Sequence, residues 1–234
     1  MKRFYKHVAV VPGLAGLGIE LDGRPVRTPK KVAFAVRAEA LAEAIAEEWR
    51  QQGETMAPQT MPLLRLANTA IDVVGGQRDA VVENLTGFGG SDLLCYRASE
   101  PEDLVQRQER LWSPWLGWAA AQHGAALATT QGVRHIAQDE AALAALRGAV
   151  DGHDAMELAG LNDLVTIAGS LVLALAVSAG ALDAAAAWAA ARLDHDYQAE
   201  RWGRDDEAEA HAASLRGEFE QAARFLDLHR AGGT

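Results

Sequence analysis

The chain has a single cysteine, Cys95, among its 234 residues. That excludes an intramolecular disulfide and any knuckle of cysteine thiolates around zinc, and it fits a reducing compartment. Basic runs are scarce too: beyond Lys30-Lys31 there is none, and the net charge is −10. A nucleic-acid binder needs a basic patch, so the balance points to a solvated acidic surface or a partner with a basic face. The glycines from Gly13 to Gly18 lack the Gly-Lys-Ser/Thr ending of a phosphate loop, and Ile19-Glu20-Leu21 after them reads as strand. A hairpin loop accounts for them. Gly87, Gly89 and Gly90 likewise lack a basic residue or a strand–helix context. The HExxH order of zinc hydrolases is missing.

What is present is enough apolar matter for a core: 49% apolar and 23% charged residues. Met1-Lys2-Arg3 is basic and an apolar stretch follows from Val8. Pro12, Gly13, Gly16 and Gly18 interrupt it, so it reads as strand and turn rather than a signal peptide, and no Arg/Ser-rich transit segment precedes it. From Leu164 to Leu182 there is no charge at all, a length near the roughly 20 residues that span a bilayer. Asp163 and Asp183 close its ends without Lys, Arg or aromatic anchors, so a helix buried on all sides is expected and stable membrane insertion is not.

The fold class read from periodicity is α+β. Ile19 and Leu21 alternate with acids, and Val32, Phe34 and Val36 alternate with alanines, giving a small antiparallel sheet. Asp22-Gly23 is its turn signal, and Pro25 and Pro29 belong at edges. Leu41, Ile45 and Trp49 share one face of a covering helix over 38–52. A linker at 53–58 divides the chain into a small α+β domain, 1–58, and a larger helical domain, 59–234. In the latter, Leu63, Leu66, Ala70 and Ile71 form a helical stripe that Gly75-Gly76 ends. Ser99 with Glu102 reads as a capping box, and Pro101 suits a first turn. The helix it opens carries Leu104, Leu111, Trp115 and Trp118 inward, and Pro114 predicts a kink or restart near Ser113. Asp154 with Glu157 reads as another cap. Gly160 and Gly169 permit close helix approach. Asp183 caps an Ala-rich helix through Trp202, and Ala208, Ala212, Leu215, Phe219, Ala222 and Leu226 make a seam on the last helix.

Candidate sites are few. Cys95 lacks a local base, and its apolar neighbours suggest burial. Asp196 and Glu200, one turn apart, share a helix face, while His195 points elsewhere, so a solvated face competes with a metal site. Trp112 lies to the side of the Trp115/Trp118 stripe and is read as an exposed binding anchor or as peripheral packing. No catalytic residue, metal set or cofactor site emerges. A small cytoplasmic enzyme using Cys95 or the His195/Glu200 region, and a membrane-associated scaffold using Leu164–Leu182, stay open as alternatives.

A set of ordered strings adds a resemblance. They are Arg3-Phe4-Tyr5-Lys6, Leu21-Asp22-Gly23-Arg24-Pro25 with Thr28-Pro29, Glu48-Trp49 with Gln52, Met61-Pro62-Leu63, Asp92-Leu93-Leu94-Cys95-Tyr96-Arg97-Ala98, and Tyr197-Gln198 with Trp202-Gly203. Together they resemble the assembly chaperones that hold the alpha subunit of the F-type ATP synthase head. That resemblance implies a non-enzymatic protein without a cofactor, with a small sheet-containing part and a larger helical part. It implies binding to free alpha subunit, preventing its aggregation until beta replaces the chaperone. It implies a bacterial cytoplasmic location, the mitochondrial matrix being that of eukaryotic relatives. The segment from Leu193 to Gly203 resembles the family's acidic C-terminal helix, which implies partner contacts at Glu200 first and at Asp194 and Asp196. The family pattern has an acid where this chain has His195.

Overall fold

The computed structural model describes residues 2–232. Its helices are α1 (Glu39–Arg50), α2 (Pro62–Thr69), α3 (Gly75–Gly87), α4 (Glu102–His123), α5 (Glu140–Asp151), α6 (Ala155–Ala168), α7 (Leu171–Ser178), α8 (Ala184–Trp202) and α9 (Asp206–Arg230). The strands are β1 (Val8–Gly13), β2 (Gly16–Leu21), β3 (Arg24–Pro25), β4 (Tyr96–Arg97) and β5 (Thr130–Gln131). The chain forms two compact units: Met1–Arg78 with Asp154–Gly160 and Gln221–Thr234, and Asp79–His153 with Leu161–Glu220. The division at residue 58 stays a proposal about independent folding; the compact units follow packing and interleave along the chain.

In the first unit β1, β2 and β3 form one antiparallel sheet in that order, with Val8 opposite Leu21 and Val10 opposite Ile19. The sheet buries Ile19 and Leu21. Asp22 and Gly23 turn with φ of 50° and 76°, the twist a two-residue hairpin favours. The Asp22 carboxylate accepts the main-chain N–H groups of His7 and Lys6, which hold its pKa down. Leu41, Ile45 and Trp49 of α1 are buried as the spacing predicts. The expected strand over Val32–Val36 is not continuous: only isolated bridges form, Arg27 with Ala33 and Leu17 with Val36. Phe34 and Val36 are buried while Val32 is exposed. Pro29 and a left-handed Lys31 (φ 66°) bend the chain just before it, so the burial alternates without a ladder.

The strings near the N-terminus are joinery. Buried Glu48 accepts the N–H groups of Leu63 (2.8 Å) and Leu64 (2.9 Å), capping the first turn of α2 from another helix. Burial raises its pKa against those two bonds. Gln52 ties the following loop through Ala57 N–H (2.7 Å) and Thr60 Oγ1 (3.0 Å). Arg3 donates to Gln52 O and Tyr5 to Trp49 O, both at 2.7 Å. The helix end expected at Gly75-Gly76 falls one residue later, as a break at Gln77 and not as a glycine cap. α2 continues through a π-helical segment, Ala70–Val74, into α3, with an interruption at Gln77 (φ −137°, ψ 28°). Neither glycine takes the positive φ that a terminating glycine uses.

Asp154 and Glu157 form the expected reciprocal box at the start of α6, at 2.9 and 2.8 Å. A Cβ on Gly160 would lie 2.9 Å from Leu226 Cγ, so this glycine does permit close approach. His229 on α9 meets Asp154 at 2.9 Å. The Asp154 hydrogen bond raises His229 above its ordinary 6.5, with Glu157 adding and Arg37 opposing. Partial burial pushes Asp154 up, but the His229 and Glu157 hydrogen bonds outweigh it and hold it at about 2. A raised base stabilises the fold fully below its unfolded pKa, and a depressed acid above its own. The pair therefore contributes most between about pH 4 and 6.5, about 1 kcal/mol given the exposure of Asp154. His229→Gln is expected to lower the melting midpoint most near pH 5.5, with the difference fading as pH rises through the raised His229 value. Thermal melts across that range check it; a difference that does not vary with pH contradicts it.

In the second unit β4 pairs parallel with β5. The uncharged stretch is not one helix. Gly169 (φ 65°) ends α6 and Ser170 caps α7 through Leu173 N–H at 3.1 Å. Nothing lies within 4 Å of a Cβ built on Gly169, so it serves the left-handed backbone and not close packing. Every residue of α7 is buried, and no helix among the described residues is long and apolar enough to cross a membrane. Asp92, fully buried, organises this region. Its carboxylate accepts Leu94 N–H (3.0 Å), Ser170 Oγ–H (2.8 Å) and Val172 N–H (3.0 Å). Burial pushes its pKa up against these bonds.

Two expectations about α4 fail. Its N-cap is Pro101, extended and without a side-chain cap bond, so the helix starts too late for a Ser99–Glu102 box. It also runs through Pro114 as one element, so of the kink or restart expected near Ser113 the restart does not occur. Its buried face is Gln108, Trp112 and Ala119, while Leu111 is 42% exposed and Leu104, Trp115 and Trp118 are only half-buried. The aromatic spacing suggested another face. A buried glutamine is what shifts it, because Gln108 accepts Ala98 N–H (2.8 Å) and donates to Asp194 (2.7 Å).

Candidate functional site on helix α8

Asp183 starts α8 by accepting Ala186 N–H at 2.8 Å. Ala187, Ala190, Leu193 and Tyr197 turn inward. The small side chains allow α4 and α7 to pack closely against it. Trp112 is part of that packing. It is 0% exposed, its indole N–H donates to Ala190 O at 2.8 Å, and the Arg97 guanidinium lies 5.3 Å from its ring centre. The exposed anchor expected at Trp112 is therefore corrected: its position beside the aromatic stripe is the buried face of α4.

The acids of α8 divide by what they touch. Asp194 is half-buried and accepts from Gln108, so it orients α4 against α8. Glu200 is exposed, and both its oxygens accept from Arg107 Nη1, at 3.0 and 2.8 Å. Its ion-pair partner thus comes from α4, while Arg204, just past the end of α8, lies 3.7 Å from Glu209. Asp196 is exposed, with Arg192 at 3.7 Å. Between Glu200 and Asp194 stands Tyr197, whose hydroxyl donates to Asp103 at 2.7 Å while Arg201 donates to the other Asp103 oxygen at 2.9 Å. The Tyr197 bond, then Arg201, lowers the Asp103 pKa. The guanidinium groups of Arg107 and Arg201 lie 5.2 and 5.1 Å from the Tyr197 ring centre.

On the other side of α8 a groove of about 350 Å³ runs along α9, lined by Arg192, Arg204 and Arg216 and by Asp196, Glu200 and Glu209. Its charges balance, so a partner here exchanges ion pairs instead of meeting a uniform acidic field. The acidic surplus lies at the turn between the helices, where Asp205, Asp206 and Glu207 are exposed. Beside them Trp202, at the end of α8, is 79% exposed. The residue reading passed over Trp202. The signal was there: position 202 falls off the stripe set by Leu193 and Tyr197.

The remaining candidates are placed apart. Cys95 is buried, and desolvation, then the Asp92 charge, pushes its thiol up to about 12, opposite to an activated nucleophile. His195 is exposed. Among the described residues no group of three His, Cys, Asp or Glu side chains is disposed to hold a metal ion. Gly13 to Gly18 form the β1–β2 hairpin.

This arrangement has known counterparts. A family model described as ATP12 chaperone protein matches residues 2–120. The fold matches the crystal structure of Atp12 from Paracoccus denitrificans with a TM-score of 0.94 and 47% identity over 98% of both chains. A mutant of P. denitrificans Atp12p matches with a TM-score of 0.94 and 46% identity over 98% of both. "Protein atp12, mitochondrial" of Schizosaccharomyces pombe is 26% identical over 219 residues, 88% of this chain and 75% of that protein. A matched family model over half of the sequence, with structural likeness along nearly all of it, means that the chain belongs to the ATP12 chaperone family.

Proposed function

We propose that this chaperone binds the free alpha subunit of the F-type ATP synthase head, keeps it from aggregating, and gives it up when beta arrives. An unassembled subunit exposes the surface that its neighbour will cover, and such patches associate wrongly. A holder must cover that surface and still release it. The observation that carries the reading is the exposed Trp202 beside the acids of α8 and the α8–α9 turn. An aromatic anchor supplies affinity, and a rim of exposed charges supplies selectivity with a wet, exchangeable boundary. The exposure of Asp196 and Glu200 supports assigning them to a basic client surface, and the bond from Gln108 to half-buried Asp194 supports a smaller client role there. The location follows the same reading: the bacterial cytoplasm.

The test is size-exclusion chromatography of the purified protein mixed with alpha subunit, followed by addition of beta. The expected result is co-elution with alpha alone and loss of that complex when beta is present. No complex with alpha, or one that persists unchanged with beta, overturns the reading.

A further inference from the structure

The sheet of the first unit ends at β1 on an unpaired edge. Asp22 N–H donates to His7 O at 3.0 Å. With Val8 opposite Leu21, this fixes His7/Asp22, Ala9/Glu20, Val11/Gly18 and Gly13/Gly16 as the hydrogen-bonded pairs. Val8, Val10 and Pro12 therefore turn their main-chain groups away from β2. The outer row of β2 is in use: Ile19 O accepts Val26 N–H at 2.8 Å, and Leu17 exchanges bonds with Val36 at 2.7 and 3.0 Å. The outer row of β1 is not. Among the described residues no main-chain bond or bridge reaches Val8, Val10 or Pro12 from outside the hairpin.

Three observations define the occupant. The first is the hydrogen-bond row. Val8 and Val10 each offer an N–H and a C=O along one line, and Pro12 adds a C=O. An extended main chain is the group that matches such a row; a helix or a small molecule has no such repeat. The second is polarity. From Val8 to Ile19 no side chain is polar, although Ala9, Pro12 and Ala15 are exposed and Leu14 is fully so. Natural sheets guard their edges with charges, bulges or proline. Pro12 is the guard present, and it lies beyond the two valines. A visiting strand meets Val8 and Val10 on the core side of the sheet, beside Leu21 and Ile19, and Ala9 and Val11 on the other. Neither side offers a charge to pair with, so the visitor is uncharged. The third is length. β1 has six residues, about 20 Å of edge. So short a strip falls well below the ~800 Å² per partner that a stable dimer buries, which disfavours a second copy of this chain. It suits a contact that adds to another and lets go easily. An unassembled client offers the matching group, since incompletely assembled chains expose unpaired strand edges.

We propose that β1 takes an extended, uncharged segment of the client polypeptide as an added strand, held by the main-chain groups of Val8 and Val10. This rests on the chaperone reading and adds a second client contact, in the unit that lacks α8.

The test uses two variants of the full chain. Ala9→Lys puts a charge on the exposed side of the edge, opposite Glu20, and leaves the ladder to β2 intact. Val10→Pro deletes an outward N–H that β2 does not use. The probes are purified alpha subunit, a short fluorescein-labelled peptide of alternating valine and threonine, and the same peptide with every main-chain nitrogen methylated. The parent is expected to bind the first peptide and not the methylated one. Each variant is expected to weaken peptide binding about tenfold or more, and alpha binding by a smaller factor. Amide exchange at Val8 and Val10 is expected to be fast in the free protein and slowed about tenfold or more by the peptide. A melting midpoint of Ala9→Lys close to the parent's assigns its loss to the edge. No binding of the first peptide, equal binding of both, or unchanged exchange at Val8 and Val10 in the complex overturns the proposal. If alpha and the peptide bind the parent and Ala9→Lys equally, the edge proposal is overturned while the chaperone reading stands. A parent dimer that Ala9→Lys splits without loss of alpha affinity also overturns it, in favour of a second copy. If alpha does not bind the parent at all, the chaperone reading fails, and the peptide and exchange results alone decide whether the edge takes a strand.

Discussion

Asp92→Ala is expected to lower the thermal midpoint by about 10 °C. The carboxylate it removes is fully buried and accepts from Leu94 N–H, Ser170 Oγ–H and Val172 N–H. Alanine leaves all three donors without a partner in a place water does not reach. Orphaning buried donors, and breaking a buried charged hydrogen-bond set, costs about 3–5 kcal/mol. For a chain of this size each kcal/mol moves the midpoint by about 2–4 °C. Asp92→Asn keeps the volume but turns an amide donor toward donors, so it too loses stability, though less. Circular dichroism melts of both variants decide the matter. A midpoint for Asp92→Ala within about 2 °C of the parent would show that α7 is held by its apolar packing and not by this cap.

Trp202→Ala is expected to cost little stability and much binding. The indole is 79% exposed, so removing it takes away little packing. An aromatic anchor that becomes buried against a partner contributes about 2 kcal/mol or more, which is at least a tenfold loss of affinity. Glu200→Gln makes the useful contrast. It breaks the pair with Arg107, an exposed ion pair worth about 0.2–1 kcal/mol, so its midpoint also moves little. Its binding loss is expected to be smaller than that of Trp202→Ala and to shrink as salt screens the contact. Isothermal titration with alpha subunit at two salt concentrations, with melts on the same samples, separates the outcomes. Unchanged affinity in Trp202→Ala would move the client face away from the end of α8.

Local patterns carried much of the fold in legible form. The hairpin around Gly13–Gly18, the Asp22-Gly23 turn, the inward face of α1 and the Asp154–Glu157 box each depend on neighbours a few residues apart, and all are found. What misled was long-range. Gln108 is polar by type, yet its bonds to Ala98 and Asp194 draw it inside and rotate α4, which buries Trp112 and leaves Leu111 out. Gly75-Gly76 marks the break to within one residue, since the helix is interrupted at Gln77, but no left-handed glycine makes it. Glu48 and Asp92 stand in strings that mark the family, and spacing says nothing of their task because the helices they cap, α2 and α7, begin far along the chain. Those strings hold the fold together, which is why they showed kinship without showing a site. On α8 the acids were legible as acids. Their division was not: Asp194 faces Gln108, Glu200 faces Arg107, and both partners lie on α4.

The most direct test of the account is light scattering from isolated alpha subunit at a temperature where it aggregates, with and without an equimolar amount of this protein, followed by addition of beta. The account predicts that scattering is suppressed while the chaperone is present, and that beta then draws alpha into a complex from which the chaperone is absent. Aggregation at the same rate with the protein as without it would contradict the central claim.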